Sequence, residues 1–379
     1  MNDAIVVGGG PAGLHLAYRL SSAGLNVAVI DDQTYIGEHA VCSGVIGEEA
    51  FGRFALPERS VVTKIHTFRA VSPLGKILEH RSPSALARVV KKSEFNKDLA
   101  FACREAGVKF HLGCYVTAVQ REKHGMAISC RSRHGEESFL RARVAAIASG
   151  VKVSLTKDLG LVKPREFLRA VQAEVVTGKD GAEHPTEIYV GSQVAPGGFG
   201  WKIPLGQGRY RIGLMSSSSA RPFFSALLER AAPEVQVNSV RLSAKAIAQA
   251  PIGKPVADRL LVIGEAAGHI KTSTGGGIYY GLLSAEFASQ VLLDAFRRGA
   301  FSSQALSAFE RYCQSAFGNE IFLGYLLRKL VARFPDSFIE KAFARAKETD
   351  FFAKLNGKLS FDWHQRAILA SMRMLFDFS

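Results

Sequence analysis

The chain has 379 residues, of which 47% are hydrophobic and 22% charged, a composition typical of a folded globular protein that excludes a disordered or fibrous chain. The formal net charge of +14 favours an anionic partner, but the sequence contains no nucleic-acid-binding motif, so nucleic acid is not an expected partner. No segment reaches the ~20 apolar residues of a membrane-spanning helix, and five widely spaced cysteines predict neither disulfides nor a metal site.

The predicted elements begin with a strand, a glycine turn, a helix and a second strand over residues 4–31. Gly8, Gly10 and Gly13 form Gly-x-Gly-x-x-Gly directly after the first strand, the context of a dinucleotide fingerprint. These glycines allow a tight turn, close approach of the backbone to a pyrophosphate, and helix–strand packing. Asp31 ends the second strand, where a carboxylate accepts hydrogen bonds from a ribose. The expected nucleotide contacts are Gly8, Gly10, Pro11, Ala12, Gly13, Asp31 and Asp32.

The middle of the chain is rich in strand patterns, and the last part is helical. A helix is predicted over residues 93–106, a short apolar strand over 260–263 and a helix over 275–297. Rossmann elements at both ends of a β-rich region predict a discontinuous nucleotide domain with a substrate domain inserted into it. The predicted ranges are 1–60, 82–150 and 250–300 for the nucleotide domain, 61–81 and 151–249 for the substrate-binding β-sheet domain, and 301–379 for a C-terminal helical region with a break at Pro335.

Three further motifs carry a family resemblance. The first is Gly264-Glu265-Ala266-Ala267-Gly268 followed by Thr274-Gly275-Gly276-Gly277-Ile278, the second is Phe199-Gly200-Trp201-Lys202-Ile203-Pro204, and the third is Cys42-Ser43-Gly44. Together with the N-terminal glycines they resemble the para-hydroxybenzoate hydroxylase-like flavoproteins, and within them the geranylgeranyl reductase family. The resemblance covers about residues 1–300. It implies an α/β fold with a Rossmann-type FAD-binding domain.

The resemblance also implies roles for individual residues. FAD would be the cofactor, with Glu265 holding a ribityl hydroxyl and the helix start at Gly275–Gly277 placing backbone N–H groups against the isoalloxazine. Cys42 would lie near the flavin. The remaining cofactor contacts expected on this basis are Ser43, Lys92, Gly264 and Ile278.

The substrate implied by the resemblance is an isoprenoid chain or another hydrophobic small molecule. Reducing an unactivated carbon–carbon double bond requires a hydride on one carbon and a proton on the other, and an aromatic face stabilises the cationic character between them. Trp201 and Phe199 are the candidate aromatic residues, and Cys42 is a candidate proton donor or redox-sensitive thiol. His39 and His269 lie in motif loops and are further candidates for relaying a proton.

The sequence departs from the family pattern at three positions. Lys92 stands where relatives have Arg, Ser149 precedes Gly150 where the hydroxylases have Asp, and Glu265 replaces Asp. FAD binding is compatible with these changes, whereas direct use of NADPH is not favoured. The external electron donor is therefore left open between NADPH and reduced ferredoxin.

Two other functions fit the same motifs. A flavin monooxygenase or halogenase of this fold is an alternative, and so is a flavin-binding partner protein without turnover.

The N-terminus has no secretory signal pattern, which predicts a cytoplasmic protein. Residues 322–334 combine bulky apolar residues with Arg328, Lys329 and Arg333, a composition that favours peripheral contact with an anionic membrane at its inner face, although an ordinary core-packed helix gives the same pattern.

Overall fold

The computed structural model describes residues 1–38, 40–152, 154–157, 159, 161, 166–177, 184–236, 239–251, 253–354 and 360–369. Strands in these residues are β1 (Asn2–Val7), β2 (Val27–Asp31), β3 (Val45–Gly47), β4 (Val61–Ile65), β5 (Thr67–Val71), β6 (Ile77–Arg81), β7 (Ala87–Val90), β8 (Lys109–Leu112), β9 (Cys114–Arg121), β10 (Met126–Ser132), β11 (Glu137–Ile147), β12 (Phe167–Val176), β13 (Thr186–Tyr189), β14 (Phe199–Gly206), β15 (Arg209–Ser216), β16 (Ser243–Ala248), β17 (Val256–Ala257) and β18 (Leu260–Val262). Helices are α1 (Pro11–Ser22), α2 (Glu48–Phe54), α3 (Lys92–Glu105), α4 (Ser154–Lys157), α5 (Arg221–Ala231), α6 (Ile278–Arg298), α7 (Ser303–Leu306), α8 (Ala308–Cys313), α9 (Asn319–Val331), α10 (Asp336–Glu348) and α11 (Phe351–Lys354).

The chain divides into two compact units. The first contains Met1–Ala40, Lys92–Glu166 and Ala248–Ile321, and the second contains Val41–Lys91, Phe167–Ile247 and Phe322–Ser379. Each unit is built from three separate stretches of chain. The predicted α/β class, with a discontinuous Rossmann unit, an inserted β-sheet region and C-terminal helices, is confirmed.

The first unit is built on an eight-stranded sheet whose central path is β17-β18-β11-β1-β2-β8. Strands β18, β11, β1, β2 and β8 run parallel, and the β9–β10 hairpin continues the sheet antiparallel to the first half of β11. Strand β2 is buried along its whole length. This accounts for the unbroken apolar run Val27-Ala28-Val29-Ile30, because a parallel strand covered on both faces does not alternate.

The second unit contains a seven-stranded sheet in the order β16-β12-β15-β14-β13-β5-β6 and a three-stranded sheet in the order β3-β7-β4. One hydrophobic core in this unit groups Phe224, Leu227 and Leu228 of α5 with Ile212 and Leu214 of β15. Another contains alternate residues of β14, which share one face of the strand, namely Trp201, Ile203 and Leu205.

The compact units and the predicted ranges divide the chain at different residues. Residues 41–60 and 82–91, which the sequence pattern assigns to the nucleotide domain, lie in the second unit because β3 and β4 both pair with β7. The C-terminal region is divided, with residues 301–321 in the first unit and 322–379 in the second. Pro335 separates α9 from α10 as its position predicts. Among the described helices, none is both long and apolar enough to cross a membrane.

Candidate functional site

The candidate nucleotide site lies at the carboxyl edge of the parallel strands in the first unit. Strands β1, β2, β11 and β18 all end at this edge, and they are followed by Gly8, Asp31, Ala148 and Gly264 at or just after their last residues. Loops at the carboxyl ends of parallel strands form the crevice in which α/β proteins bind ligands. The topology therefore brings the N-terminal glycines and the downstream Gly264-Glu265 motif to one edge.

The three fingerprint glycines have different surroundings. Gly8 has a positive φ of +113°, and a Cβ added to it would overlap the carbonyl oxygen of Ala148. A Cβ added to Gly13 would overlap the carbonyl oxygen of Gly8, because α1 packs closely on the end of β1. A Cβ added to Gly10 would meet no heavy atom within 4 Å. Packing within the protein thus requires Gly8 and Gly13, whereas Gly10 faces open space.

The N-terminus of α1 is open towards the same space. Gly10 is its N-cap residue, Pro11 occupies the first turn, no side chain caps the helix, and the first turn carries no acidic residue. The aligned peptide dipoles give this end a partial positive charge that attracts phosphate. An uncapped helix start beside an open glycine fits the pyrophosphate of a dinucleotide.

Asp31 organises the glycine loop through its carboxylate. One oxygen accepts a hydrogen bond from the Gly9 N–H at 2.6 Å, and the other accepts from the backbone and side-chain N–H groups of Gln33 at 2.9 and 3.0 Å. A carboxylate offers about four lone-pair positions, so these three bonds leave room for a ribose hydroxyl. The neighbouring Asp32 instead forms an ion pair with Lys152.

The downstream motif packs directly on the start of α1. Gly264 has a φ of +62°, and a Cβ built on it would lie 2.9 Å from the Cβ of Ala12. The Gly264 N–H donates to the Ser284 hydroxyl at 3.0 Å, which ties the motif to α6. Glu265 lies beside the turn that follows β11, with its Oε2 atom 3.8 Å from a Cβ built on Gly150. Two motifs about 250 residues apart in sequence therefore form one surface.

A closed loop precedes α6 and contains a buried lysine. The Lys271 N–H donates to the Gly276 carbonyl at 2.9 Å, and the Gly275 N–H donates back to the Lys271 carbonyl at 2.7 Å. The Lys271 side chain extends over Gly276, with Nζ 3.5 Å from a Cβ built there, and the residue is only 6% exposed. Gly277 caps α6, which begins at Ile278 without a side-chain cap. The Lys271 ammonium and the uncapped N-terminus of α6 both make this loop electropositive.

In the second unit, Cys42 lies in a turn that is anchored to the seven-stranded sheet. The thiol is half-buried, and its sulfur accepts a hydrogen bond from the Gly44 N–H at 3.4 Å. The Cys42 carbonyl accepts from the side-chain amide of Gln172 on β12 at 3.0 Å. The Ser43 carbonyl accepts from the guanidinium of Arg211 on β15.

Trp201 and Phe199 form an aromatic pair on β14 of the same unit. Their ring centroids are 6.0 Å apart and the rings meet edge to face at 65°. The Trp201 indole crosses over Gly213 of β15, where an added Cβ would lie 2.5 Å from the indole and 2.6 Å from the Cβ of Gln172. Gln172 thus contacts the Cys42 turn and approaches the Trp201 position, so the structure brings the three candidate catalytic residues into one region of this unit.

The Trp201 indole N–H is itself a feature of this region. The side chain is 9% exposed, and its Nε1 atom has no hydrogen-bond partner among the described residues. A buried donor without an acceptor costs about 1–3 kcal/mol.

Comparison with known proteins supports an FAD-binding protein. Residues 3–47 match the FAD binding domain family. The digeranylgeranylglycerophospholipid reductase 1 of Methanothermobacter thermautotrophicus is 29% identical over an alignment 374 residues long, which includes 92% of this chain and 91% of that protein. A geranylgeranyl bacteriochlorophyll reductase-like protein from Thermoplasma acidophilum has a TM-score of 0.86 at 21% identity, covering 99% of this chain and 96% of that one.

The predicted resemblance to the geranylgeranyl reductases is confirmed. A halogenase variant in complex with FAD has a TM-score of 0.70 at 16% identity and covers 91% of this chain and 79% of that chain. At this identity the halogenase shares the fold alone.

Two of the three positions that depart from the family pattern have defined surroundings beyond those given above. Lys92 is buried at the start of α3, and its ammonium contacts the side-chain oxygen of Asn96 and the ring of Phe95. The Ser149 hydroxyl donates to the Lys152 carbonyl at 2.7 Å, so it stabilises its own turn. Whether Lys92 also contacts a bound cofactor stays a prediction.

The two histidines suggested as proton relays have different outcomes. His269 is buried between Phe309 and Phe317, with centroid distances of 6.0 and 5.0 Å. Burial lowers its pKa to about 3, which favours the neutral ring, and its role as a proton relay stays a prediction. His39 lies outside the described residues.

Four residues of the candidate site carry no motif signal in the sequence. Lys271 sits between two glycine motifs, and the other three lie on β12 and β15, namely Gln172, Arg211 and Gly213. Alternation along these strands indicates which residues share a face, but not which loop lies above that face. Only the three-dimensional pairing of the strands reveals Gln172, Arg211 and Gly213.

Proposed function

We propose that this chain is an FAD-dependent oxidoreductase that saturates carbon–carbon double bonds in a polyprenyl chain carried by a lipid, a quinone or a prenyl diphosphate. The observation that carries the proposal is the match along 92% of the chain to a protein named digeranylgeranylglycerophospholipid reductase. The carboxyl-edge glycines and the Trp201 region support it.

The first unit would hold the cofactor. Gly10 and the start of α1 would bind the pyrophosphate, and Asp31 would bind the adenosine ribose. Glu265 would bind the ribityl chain, and the loop from Gly275 to Gly277 would lie against the isoalloxazine. When bound and reduced, FAD supplies a hydride to one carbon of the double bond.

The second unit would complete the reaction. The ring faces of Trp201 and Phe199 stabilise the positive charge that develops on the more substituted carbon. Cys42 donates a proton to the other, less substituted carbon and is reprotonated from solvent, while the carbon that carries the charge takes the hydride, so hydride and proton together saturate the bond. Burial of Trp201 keeps water from the cationic carbon.

Anaerobic reoxidation of the reduced flavin tests the proposal. The protein, reduced with dithionite, is mixed without oxygen with a geranylgeranylated phospholipid, and flavin absorbance is followed. Reoxidation that depends on the prenyl compound is expected, and Trp201→Ala should slow it by about tenfold or more, because removing a charge-stabilising group costs at least about 1.4 kcal/mol in the transition state. Reoxidation that occurs only with oxygen and that oxygenates or halogenates an added aromatic compound would identify a monooxygenase or halogenase instead. Reoxidation only by oxygen, with no organic product, would indicate a partner protein without turnover.

We propose a one-electron carrier such as reduced ferredoxin as the electron donor, in preference to NADPH. Ser149 stands where the hydroxylases have Asp, and its hydroxyl is engaged within its own turn. Anaerobic bleaching of the oxidised flavin by reduced ferredoxin, with none by NADPH, is the expected result. Rapid bleaching by NADPH alone would contradict this choice.

Peripheral binding to an anionic membrane through α9 is the last part of the proposed function. Phe322, Leu326 and Leu330 are spaced four residues apart, so they share one face of the helix, and they are 60%, 46% and 37% exposed. Lys329, seven residues after Phe322, lies on the same face, and Arg333 is exposed just beyond the helix end. Apolar side chains flanked by cations are typical of a helix lying in a bilayer interface.

Vesicle flotation tests this contact. Binding should rise with the fraction of anionic lipid and fall by about tenfold or more when Lys329→Glu and Arg333→Glu are combined, because each basic residue near an anionic surface contributes about 1 kcal/mol. The double variant Arg297→Glu and Arg298→Glu, at exposed positions on α6, makes the same change in net charge and should bind as the wild type does. Equal losses in both variants would mean that net charge alone drives binding, and no binding to anionic vesicles at low salt would leave α9 as a packing helix.

A further inference from the structure

The turn at Cys42, Ser43 and Gly44 is held unusually firmly for a loop. Gly44 has a φ of +75°, and its carbonyl accepts a hydrogen bond from the Val90 N–H at 2.8 Å. A Cβ added to Gly44 would lie 2.7 Å from Nη1 of Arg211. No side chain other than hydrogen fits at this position without displacing the guanidinium.

Arg211 is a buried cation whose described contacts include this turn. It is 5% exposed. Its Nη1 donates to the Ser43 carbonyl, and its Nη2 pairs with Glu174 at 2.7 Å. Burying a charge is unfavourable unless it is paired and hydrogen-bonded, and Glu174 itself is half-exposed. An apolar side chain would fill the same space at lower free energy, so packing alone does not account for an arginine here.

Gln172 acts beside Arg211 on the neighbouring strand. In the β12–β15 ladder, Gln172 is opposite Gly213 and Glu174 is opposite Arg211. Gln172 and Arg211 belong to rungs two residues apart, which share one face of the sheet, and their side chains donate to two consecutive carbonyls, those of Cys42 and Ser43. A guanidinium and an amide on a rigid sheet fix the direction of the peptide that carries the Cys42 side chain.

We infer that Arg211 and Gln172 are positioning residues that hold the Cys42 thiol in a single orientation. The inference rests on the proposed function, in which Cys42 donates a proton to a carbon atom. Proton transfer requires the donor within about 0.5 Å of the productive geometry, and an unanchored loop does not provide that. Arg211 and Gln172 contact the loop and not the reacting atoms.

Thiol labelling tests this inference without any turnover. The other cysteines serve as internal references: Cys114 is half-buried, and Cys103, Cys130 and Cys313 are buried. Burial also raises the pKa of the Cys103 thiol to about 12, which keeps it unreactive towards alkylating reagents. Labelling of Cys103 therefore reports unfolding of the first unit, and labelling of Cys114 reports general changes in reagent access. Trp201 fluorescence, measured in a Trp363→Phe background, reports unfolding of the second unit, which contains Cys42, Gln172 and Arg211.

In Arg211→Met and in Gln172→Leu, we expect N-ethylmaleimide to label Cys42 about threefold or more faster, relative to Cys114, than in the wild type. Cys103 should stay unlabelled. In the anaerobic assay kcat should fall while KM is unchanged, because the substrate still binds but the proton donor is mispositioned. Arg211→Lys should restore part of kcat. Arg209→Met, at an exposed position on the same strand, is the matched control and should behave as the wild type does.

Unchanged relative labelling of Cys42 in both variants would overturn the inference, and so would a loss of activity that appears in KM alone. If Arg211→Met exposes Cys103, Gln172→Leu decides the question, since it removes no charge. If Cys42→Ala retains full activity, the proposed role of the thiol fails, whereas the labelling result still decides whether the two side chains hold the turn.

Discussion

At the scale of single residues, the glycines of the nucleotide loop separate folding from binding. Gly8 and Gly13 have backbone atoms where a Cβ would lie, so the fold requires them. Gly10 has no such neighbour, so its only constraint is whatever occupies the open space. The fingerprint in the sequence treats the three positions alike, whereas the structure distinguishes them.

Gly10→Ala should therefore fold normally and lose cofactor. We expect its free energy of unfolding without FAD to stay within about 1 kcal/mol of the wild type, and its Kd for FAD to rise by about tenfold or more, or about 1.4 kcal/mol. Titration of apoprotein by flavin fluorescence measures the Kd. Gly52→Ala, at another position with no neighbour within 4 Å, is the control; equal FAD affinity in the two variants would contradict the assignment of the loop.

His269 makes the stability of the protein depend on pH. Its pKa is lowered by burial from 6.5 to about 3, so below pH 6.5 the unfolded chain takes up a proton that the folded protein does not. Stability from this residue is present above pH 6.5 and is lost as the pH falls towards about 3. Relative to His269→Leu, the wild type should lose about 2 kcal/mol of unfolding free energy between pH 7 and pH 5. Urea titrations at both pH values test this, and a constant difference would refute it.

At the scale of elements, periodicity and glycine positions in the sequence predict the elements around the nucleotide site well. The helix predicted over 93–106 is α3 (Lys92–Glu105), and the helix predicted over 275–297 is α6 (Ile278–Arg298). Local signals suffice there, because a strand, a glycine turn and an apolar helix follow one another in the chain. The sheet β3-β7-β4 could not be predicted this way, since its strands are short and β3 pairs with β7 across 40 or more residues.

The crossing of Trp201 over β15 yields a prediction for an element with no motif. In Gly213→Ala, the new Cβ would lie 2.5 Å from the indole and 2.6 Å from the Val171 carbonyl oxygen, so the indole must move. Destabilisation of about 1–3 kcal/mol is expected from such overpacking, together with a shift in Trp201 fluorescence measured in a Trp363→Phe background. Gly200→Ala on β14 meets only side chains that can move aside and should leave the spectrum unchanged. An unshifted spectrum in Gly213→Ala would contradict the packing.

At the scale of the whole molecule, the two units contain different parts of the proposed chemistry. The first carries the glycine loops and Glu265, and the second carries Cys42, Phe199 and Trp201. The net charge of +14 is a property of the whole chain that suits an anionic lipid surface. Sequence motifs predict both sets of residues, but the anchoring of Cys42 by β12 and β15 becomes visible only when the strands are paired.

The most direct measurement of the central claim is the stoichiometry of one anaerobic turnover. Protein carrying a known amount of reduced flavin is mixed with excess geranylgeranylated phospholipid in the absence of oxygen and of any other reductant, and the lipid is analysed by mass spectrometry. We expect that each reduced flavin that is reoxidised removes one carbon–carbon double bond, with a gain of two hydrogens in the lipid. Flavin that stays reduced, or that is reoxidised while the lipid keeps all its double bonds, would contradict it.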